Sequence, residues 1–222
     1  MKDNASSYSS EDYDSRIDSV LPYYRNFHSQ IIDLVRTLGR ERIRWLDTGC
    51  GTGSLVQKAL ERMDNIDWTL CDPSEGMLAI ARKKLGNDHI RYLCTSSQDL
   101  SFDKEFDIVT AVQSHHYLDR PTRKKAVENC YKALKPSGLF ITFENIALST
   151  PQSDLIGAER WAEFLVSSGK SPEEVQAHLA RRGTEVFPIT IEEHITLLRE
   201  CGFRSVDLLW ASYLQAGFFA IK

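Results

Sequence analysis

Two rhythms of apolar residues alternate along the chain. Short apolar runs bounded by polar or turn residues, at 43–47 (IRWLD), 67–72 (DWTLCD), 90–94, 106–112 (FDIVTAV) and 138–146 (GLFITFENI), predict strands. Helical spacing fills the intervals. Leu55, Val56, Ala59, Leu60 and Met63 share a face over 53–64, and Met77, Leu78, Ala81 and Leu85 share the next. Over 120–134 the face is Ala126, Val127, Cys130, Tyr131 and Leu134, with Pro121 near the start and Pro136 and Gly138 past the end. Strands that alternate with helices predict parallel βαβ units and an α/β doubly wound sheet. Two last runs, 204–210 and 213–221, are close enough for a hairpin, one strand of which must run antiparallel.

Helical patterns also lie outside this alternation. Residues 17–38 predict two helices meeting near Pro22, and 151–184 predict two more, one carrying Leu155, Ala158, Trp161, Ala162 and Leu165, the other opening at SPEEV. A helix over 191–201 closes at Gly202. The chain is thus expected to comprise an N-terminal helical lid, 1–39, and a domain, 40–222, interrupted by a helical insertion at 151–184. That insertion reads either as a packed helical layer or as a cap over the crevice or a subunit interface, which would make a homodimer.

Composition narrows the partners. The 222 residues carry a formal charge of −4, which gives no general attraction to nucleic-acid phosphates or anionic lipid. No apolar run approaches the roughly 18 residues of a membrane span. The five cysteines are odd in number and widely spread, and the polar, acidic start lacks the marks of a secretory or organelle signal; both features predict a cytoplasmic protein with reduced thiols. Residues 1–12 are expected to be mobile.

The strand at 43–47 runs into Asp47, Thr48, Gly49, Cys50, Gly51, Thr52 and Gly53, and a helix follows. Glycines there either serve a tight turn or let the backbone approach a ligand at a helix N-terminus. The next strand ends in Asp72, where a carboxylate can accept ribose hydroxyls or cap the following helix. A dinucleotide fingerprint would need a third glycine at position 54, which is Ser54, so a nicotinamide-dependent oxidoreductase trails.

WLDTGCGTG, CDPSEGML, FDIVTAVQSHHYLD and ALKPSGLFI resemble the successive motifs of class I S-adenosylmethionine (SAM)-dependent methyltransferases, over about residues 40–147. The resemblance implies a Rossmann-like, seven-stranded sheet ending in an antiparallel strand, with SAM as cofactor and S-adenosylhomocysteine (SAH) as product. It also implies that Gly49, Cys50 and Gly51 lie along the methionine and ribose, with Asp47 ordering the loop. Asp72 would hold the ribose, Pro73 and Met77 would lie near the adenine, and Ser96, Ser97 and Gln98 would form its edge, Ser96 standing where the family usually has Asp. Val112 and Gln113 would pass beneath the methionine.

The outer parts of the chain resemble a narrower group, the tRNA-modification enzymes that make carboxy-SAM from SAM and prephenate. LPYY puts Tyr24 at that group's SAM-contacting tyrosine, and GKSPEEV and LLRECGF run in register. The group clamps the added carboxylate with an arginine, and the aligned residue here is Leu179. Arg181 and Arg182 are near, but on a helix a shift of two residues turns the side chain roughly 200°, so neither is a simple substitute. Methyl transfer to a small or medium-sized acceptor is therefore the main expectation, carboxy-SAM synthesis the alternative, and a non-catalytic SAM-binding protein a third reading. The charge argues against a nucleic-acid partner, while the tRNA pathway stays open through the resemblance.

SAM brings its own activated methyl, so the protein must align a nucleophile and exclude water, and needs a base only where the acceptor loses a proton. His116, Tyr117 and Glu144, beyond the fourth and fifth strands, are the substrate-binding candidates; no residue is singled out as catalytic. The His115–His116 pair lacks the companions of a zinc site, so no metal is expected. Tyr8, Tyr13, Tyr23, Tyr24, Phe27, Trp161 and Trp210 either wall an apolar acceptor pocket or belong to the core.

Overall fold

The computed structural model describes residues 4–5, 8–86 and 89–222. Seven strands form one sheet: β1 (Ile43–Thr48), β2 (Ile66–Asp72), β3 (Ile90–Cys94), β4 (Phe106–Val112), β5 (Leu134–Asn145), β6 (Ser205–Ser212) and β7 (Gln215–Ile221), in the spatial order β3-β2-β1-β4-β5-β7-β6. The first five are parallel, and β7 runs antiparallel to both β5 and β6. The expected doubly wound sheet with a terminal hairpin is the observed architecture. The strand order reverses between β1 and β4, which opens a crevice beyond their carboxyl ends.

Among the described residues eight α-helices accompany the sheet: α1 (Tyr13–Arg16), α2 (Tyr24–Arg36), α3 (Ser54–Leu60), α4 (Glu75–Leu85), α5 (Arg120–Ala133), α6 (Pro151–Ser167), α7 (Pro172–Leu179) and α8 (Ile191–Glu200). The central strands β1, β4 and β5 are buried on both faces, so neighbouring residues feed opposite cores. Trp45, Ile108 and Ile141 join the core of α2, α3 and α6, while Leu46, Val109 and Phe140 join that of α5 and α8. Phe27 of α2, wholly buried, stacks on Phe143 of β5 at 5.0 Å, and truncating such a ring to alanine costs about 3–5 kcal/mol.

Three local expectations change. Of the 1–39 segment, α2 packs into the main core through Phe27, Ile31, Ile32 and Val35, and the stretch before it borders the crevice. Of the stretch expected to be mobile, residues 1–3, 6 and 7 lie outside the described residues; the remainder is seated, with Ser10 buried and Tyr8 beneath the Arg16 guanidinium. Strand β5 begins at Leu134, directly after α5, because Leu134 pairs with Phe106 before the register shifts around Pro136 and Ser137. Helix α6 is held by the Trp161 indole, which donates to Val20 O at 2.8 Å, while Leu155 and Ile156 on it stay exposed. Among the described residues no helix is long and apolar enough to cross a membrane.

Candidate functional site

At the carboxyl end of β1 the backbone turns through Gly49, Gly51 and Gly53, all at positive φ. A Cβ on Gly49 would lie 2.4 Å from Ser114 Cβ, so glycine here is required by the close approach of the loop after β4. A Cβ on Gly51 would meet nothing within 4 Å, because that residue faces an open cleft.

Asp72, at the tip of β2, braces this loop. Its Oδ2 accepts from Gly51 N–H at 2.9 Å and its Oδ1 from Ser74 N–H at 2.9 Å, while Cys50 N–H donates to Cys71 O at 3.0 Å. The cap of α4 is Ser74, whose Oγ accepts from Met77 N–H at 3.1 Å; the capping role open to Asp72 in the sequence falls to the serine two residues on. Asp47, at the end of β1, is buried and accepts from the Thr110 hydroxyl at 2.6 Å. Burial raises its pKa to about 7, with Thr110 opposing and the nearby Asp72 charge adding to the rise.

The cleft encloses about 1050 Å³ including its mouth. Every position the sequence assigned to the cofactor lines it: Tyr24, Asp47, Gly49, Cys50, Gly51, Asp72, Pro73, Met77, Ser96, Ser97, Gln98, Val112 and Gln113. Ser97 Oγ is fixed by Thr48 Oγ1 at 2.8 Å, and Asn129 donates to Gln98 O at 2.8 Å, so the loop after β3 is held from both sides. Gln113 adopts φ 53° and donates from Nε2 to Gln215 Oε1 at 2.9 Å, which ties the end of β4 to β7.

Sequence reasoning missed several lining residues, chiefly His28, Thr52 and Ser114. Ser114 is the most informative, since its buried Oγ has no hydrogen-bond partner among the described residues. Its place directly after Gln113, at the end of the strand that borders the crevice, was the available signal. His28 was hidden because it sits on a core helix; burial holds its pKa down at about 3.

A second chamber, of about 530 Å³ including its opening, adjoins the cleft and shares Tyr13, Gln113 and Tyr117 with it. Tyr8, Ile17, Leu21 and Trp161 give it apolar walls, and His116, Asn145, His178, Arg181 and Arg182 give it polar ones. Of the aromatic residues expected to wall an acceptor pocket, Tyr8, Tyr13 and Trp161 do line this chamber. Tyr24 lines the cleft, whereas Tyr23, Phe27 and Trp210 pack against one another and line neither cavity. Tyr23 is 55% exposed, because it occupies the turn before α2, at φ 62°.

The histidine pair separates. His115–Tyr117 form a single 3₁₀ turn, not an extension of β4. His115 enters the core against Phe140, where burial holds its pKa at about 4, while His116 lines the chamber. Tyr117 lines both cavities. Glu144 lines neither; it lies within β5, fully buried, 2.7 Å from His116 Nδ1.

The arginine geometry also departs from expectation. Helix α7 ends at Leu179, with Ala180 as its cap, so the helical rotation that would point Arg181 away from Leu179's side does not apply. Leu179 packs against the core. Arg182 is paired with Asp154 at 2.9 Å and with the Asn145 side chain. Arg181 pairs with Glu185 at 2.7 Å, donates to Ala5 O at 2.7 Å and stands 5.9 Å from the Tyr117 ring, which places it in the chamber wall.

Comparison with known proteins bears on this arrangement. Residues 46–138 match the family described as methyltransferase domain. Over 95% of its length the chain is 21% identical to a carboxy-S-adenosyl-L-methionine synthase of Nautilia profundicola, covering 90% of that protein. It is 30% identical to a malonyl-[acyl-carrier protein] O-methyltransferase of Priestia megaterium, over 53% of this chain and 43% of that one. Among solved structures, a SAM-dependent methyltransferase from Thermotoga maritima has the same fold, with a TM-score of 0.60, 19% identity and coverage of 96% of this chain and 95% of that one.

Proposed function

We propose that this chain, whose residues 46–138 match a methyltransferase domain, is a class I SAM-dependent methyltransferase that uses its two adjoining cavities together: SAM in the cleft and the methyl acceptor in the chamber beyond Gln113 and Tyr117. The observation that supports this most is convergence. Residues from the ends of β1, β2, β3 and β4 and from α2, far apart in sequence, line one cleft at the reversal of strand order.

The lining suits the groups of SAM. The glycine loop offers backbone at close range, Asp72 is the acid beside it for ribose hydroxyls, and Ser114 Oγ is a buried polar atom with no hydrogen-bond partner among the described residues. Asp47 gives the cleft a carboxyl that a cation would drive to its charged form. SAM supplies an activated methyl on a sulfonium; the chain's task is to hold the acceptor in line and keep water away. Tyr13, Gln113 and Tyr117, common to both cavities, form the partition at which donor and acceptor would meet.

The chamber's aromatic walls with a few polar groups suit an acceptor that is small and partly apolar. Calorimetric titration with SAM tests the first half of the proposal: saturation near one per chain supports it, and no binding into the millimolar range refutes it.

One observation favours a second reading, synthesis of carboxy-SAM. The relatives matched over most of the chain carry that name, and Arg181 supplies the chamber with a guanidinium able to hold a carboxylate. Incubation with SAM and prephenate separates the readings. A gain of the mass of a carboxylate on the cofactor selects the synthase; unchanged SAM, with methyl incorporation into an acceptor from an extract, selects the methyltransferase.

A further inference from the structure

Beneath the chamber lies a buried acid–imidazole pair that the reading above leaves without a task. Glu144 is wholly inaccessible, and its carboxylate collects four donors or partners. Oε2 accepts from His116 N–H at 2.9 Å and lies 2.7 Å from His116 Nδ1; Oε1 accepts from the Thr142 hydroxyl at 2.6 Å and from His115 N–H at 3.3 Å. Burial pushes the Glu144 carboxyl up, but the hydrogen bonds it accepts, from His116 and Thr142 among others, more than reverse this and hold it below the usual carboxylate range.

An ionised carboxylate only accepts hydrogen bonds, so the proton in the 2.7 Å contact belongs to His116 Nδ1. The Asn145 backbone N–H is also aimed at Nδ1, as a donor, but at a longer 3.3 Å, so of the two contacts there the 2.7 Å one to Glu144 is the stronger. With Nδ1–H committed to Glu144, the lone pair of the neutral ring is on Nε2, the remaining nitrogen of a side chain that lines the chamber. The groups that face His116 there are Tyr13 from α1, its neighbour Tyr117, His178 from α7, and Arg181 and Arg182 from the segment after α7, with His194 of α8 on the core side. Each guanidinium has its own carboxylate, Glu185 or Asp154, so neither stands as an unbalanced cation beside the imidazole.

We infer that His116, oriented by Glu144, is the general base for the acceptor in the chamber, and that the acceptor reacts through a hydroxyl or another atom that must lose a proton. The inference rests on the chamber being the acceptor site. In the step, a lone pair of the acceptor atom forms the bond to the transferred methyl, and the methyl–sulfur bond breaks with its electron pair on sulfur. The acceptor's proton passes to Nε2, and the imidazolium is balanced by Glu144 until it returns the proton to solvent. Loss of such a base lowers transfer ~10²–10⁴-fold.

The test reads the imidazole directly, through ¹⁵N NMR of the full chain with labelled histidine, loaded with SAH at pH 8. Expected is a neutral His116 with a proton on Nδ1 and none on Nε2, its signals assigned by their loss in His116→Gln. In Glu144→Gln that tautomer preference should disappear. An Nε2–H tautomer, or an imidazolium at pH 8, overturns the proposal while leaving the cleft reading intact. A wild type that does not take up SAH overturns the cleft reading and this one with it. His116→Gln should bind SAH within ~3-fold of wild type; a greater loss assigns the side chain to the cleft and overturns the base role. If that variant is too unstable to purify, the wild-type tautomer, assigned through backbone connectivity, decides.

Discussion

The cleft and the chamber share Tyr13, Gln113 and Tyr117, yet the rest of their walls come from different kinds of structure. The cleft is made largely of strand ends and the loops that leave them, held by backbone bonds such as Gly51 N–H to Asp72 and Cys50 N–H to Cys71. The chamber is made of side chains from segments far apart, among them Tyr8, His116, Trp161 and Arg181. A surface built from backbone admits few substitutions and suits a cofactor that does not vary. One built from side chains can be changed residue by residue without disturbing the sheet, which suits an acceptor that differs between relatives.

This contrast is broken most severely at the loop. Gly49→Val places a side chain against Ser114 in a backbone conformation that β-branched residues rarely adopt, and should abolish measurable SAM binding by calorimetry. Asp72→Ala removes two charge-assisted bonds, each worth about 1.5–3 kcal/mol, and should weaken SAM at least ~100-fold. Unchanged affinity in that variant would sink the cleft assignment.

The chamber should respond in the opposite way. Arg181→Ala is expected to leave SAM affinity within ~3-fold and to remove acceptor-dependent turnover; a large loss of SAM binding would show that the two cavities are not separable. Arg182→Ala, by contrast, strips Asp154 and Asn145 of their partner and should cost about 2 kcal/mol of stability in denaturant unfolding.

Acidity distinguishes four histidines from the cleft acid. Burial holds His28 at about 3 and His115, His178 and His194 at about 4. The unfolded chain takes up those protons near pH 6.5, so the fold loses stability as pH falls from about 6.5 to 4. Asp47, raised to about 7, works the other way: it binds a proton in the fold that the unfolded chain releases near pH 4, so it disfavours the fold increasingly as pH rises toward 7. Thermal melts should therefore fall on acidification despite Asp47, and His194→Phe, which removes an unpartnered Nε2 stacked on Phe218, should lessen the fall. SAM affinity should instead rise with pH through 7 if its cation meets Asp47 ionised, and a flat profile would remove Asp47 from that role.

The smallest effect is expected at Tyr23. Its alanine variant should lose no more than about 1 kcal/mol, from the edge contact with Trp210, and should leave SAM binding and turnover unchanged. A loss of activity would return this aromatic cluster to the acceptor site.

The sequence by itself determined the sheet, the placing of the loop and the acid, and thereby the lining of the cleft. The physical reason is that these features are local: a short apolar run bounded by polar residues, a Gly-rich turn and a carboxylate at a strand end each act within a few residues of where they are written. Tertiary structure alone decided which side chains meet in the chamber. His116 and Glu144 are brought together only by the pairing of β4 with β5, and the turn at His115–Tyr117 sends adjacent histidines to different surroundings. Whether Arg181 could reach the site depended on where α7 stopped, at Leu179, a boundary set by packing over distances that residue spacing does not encode.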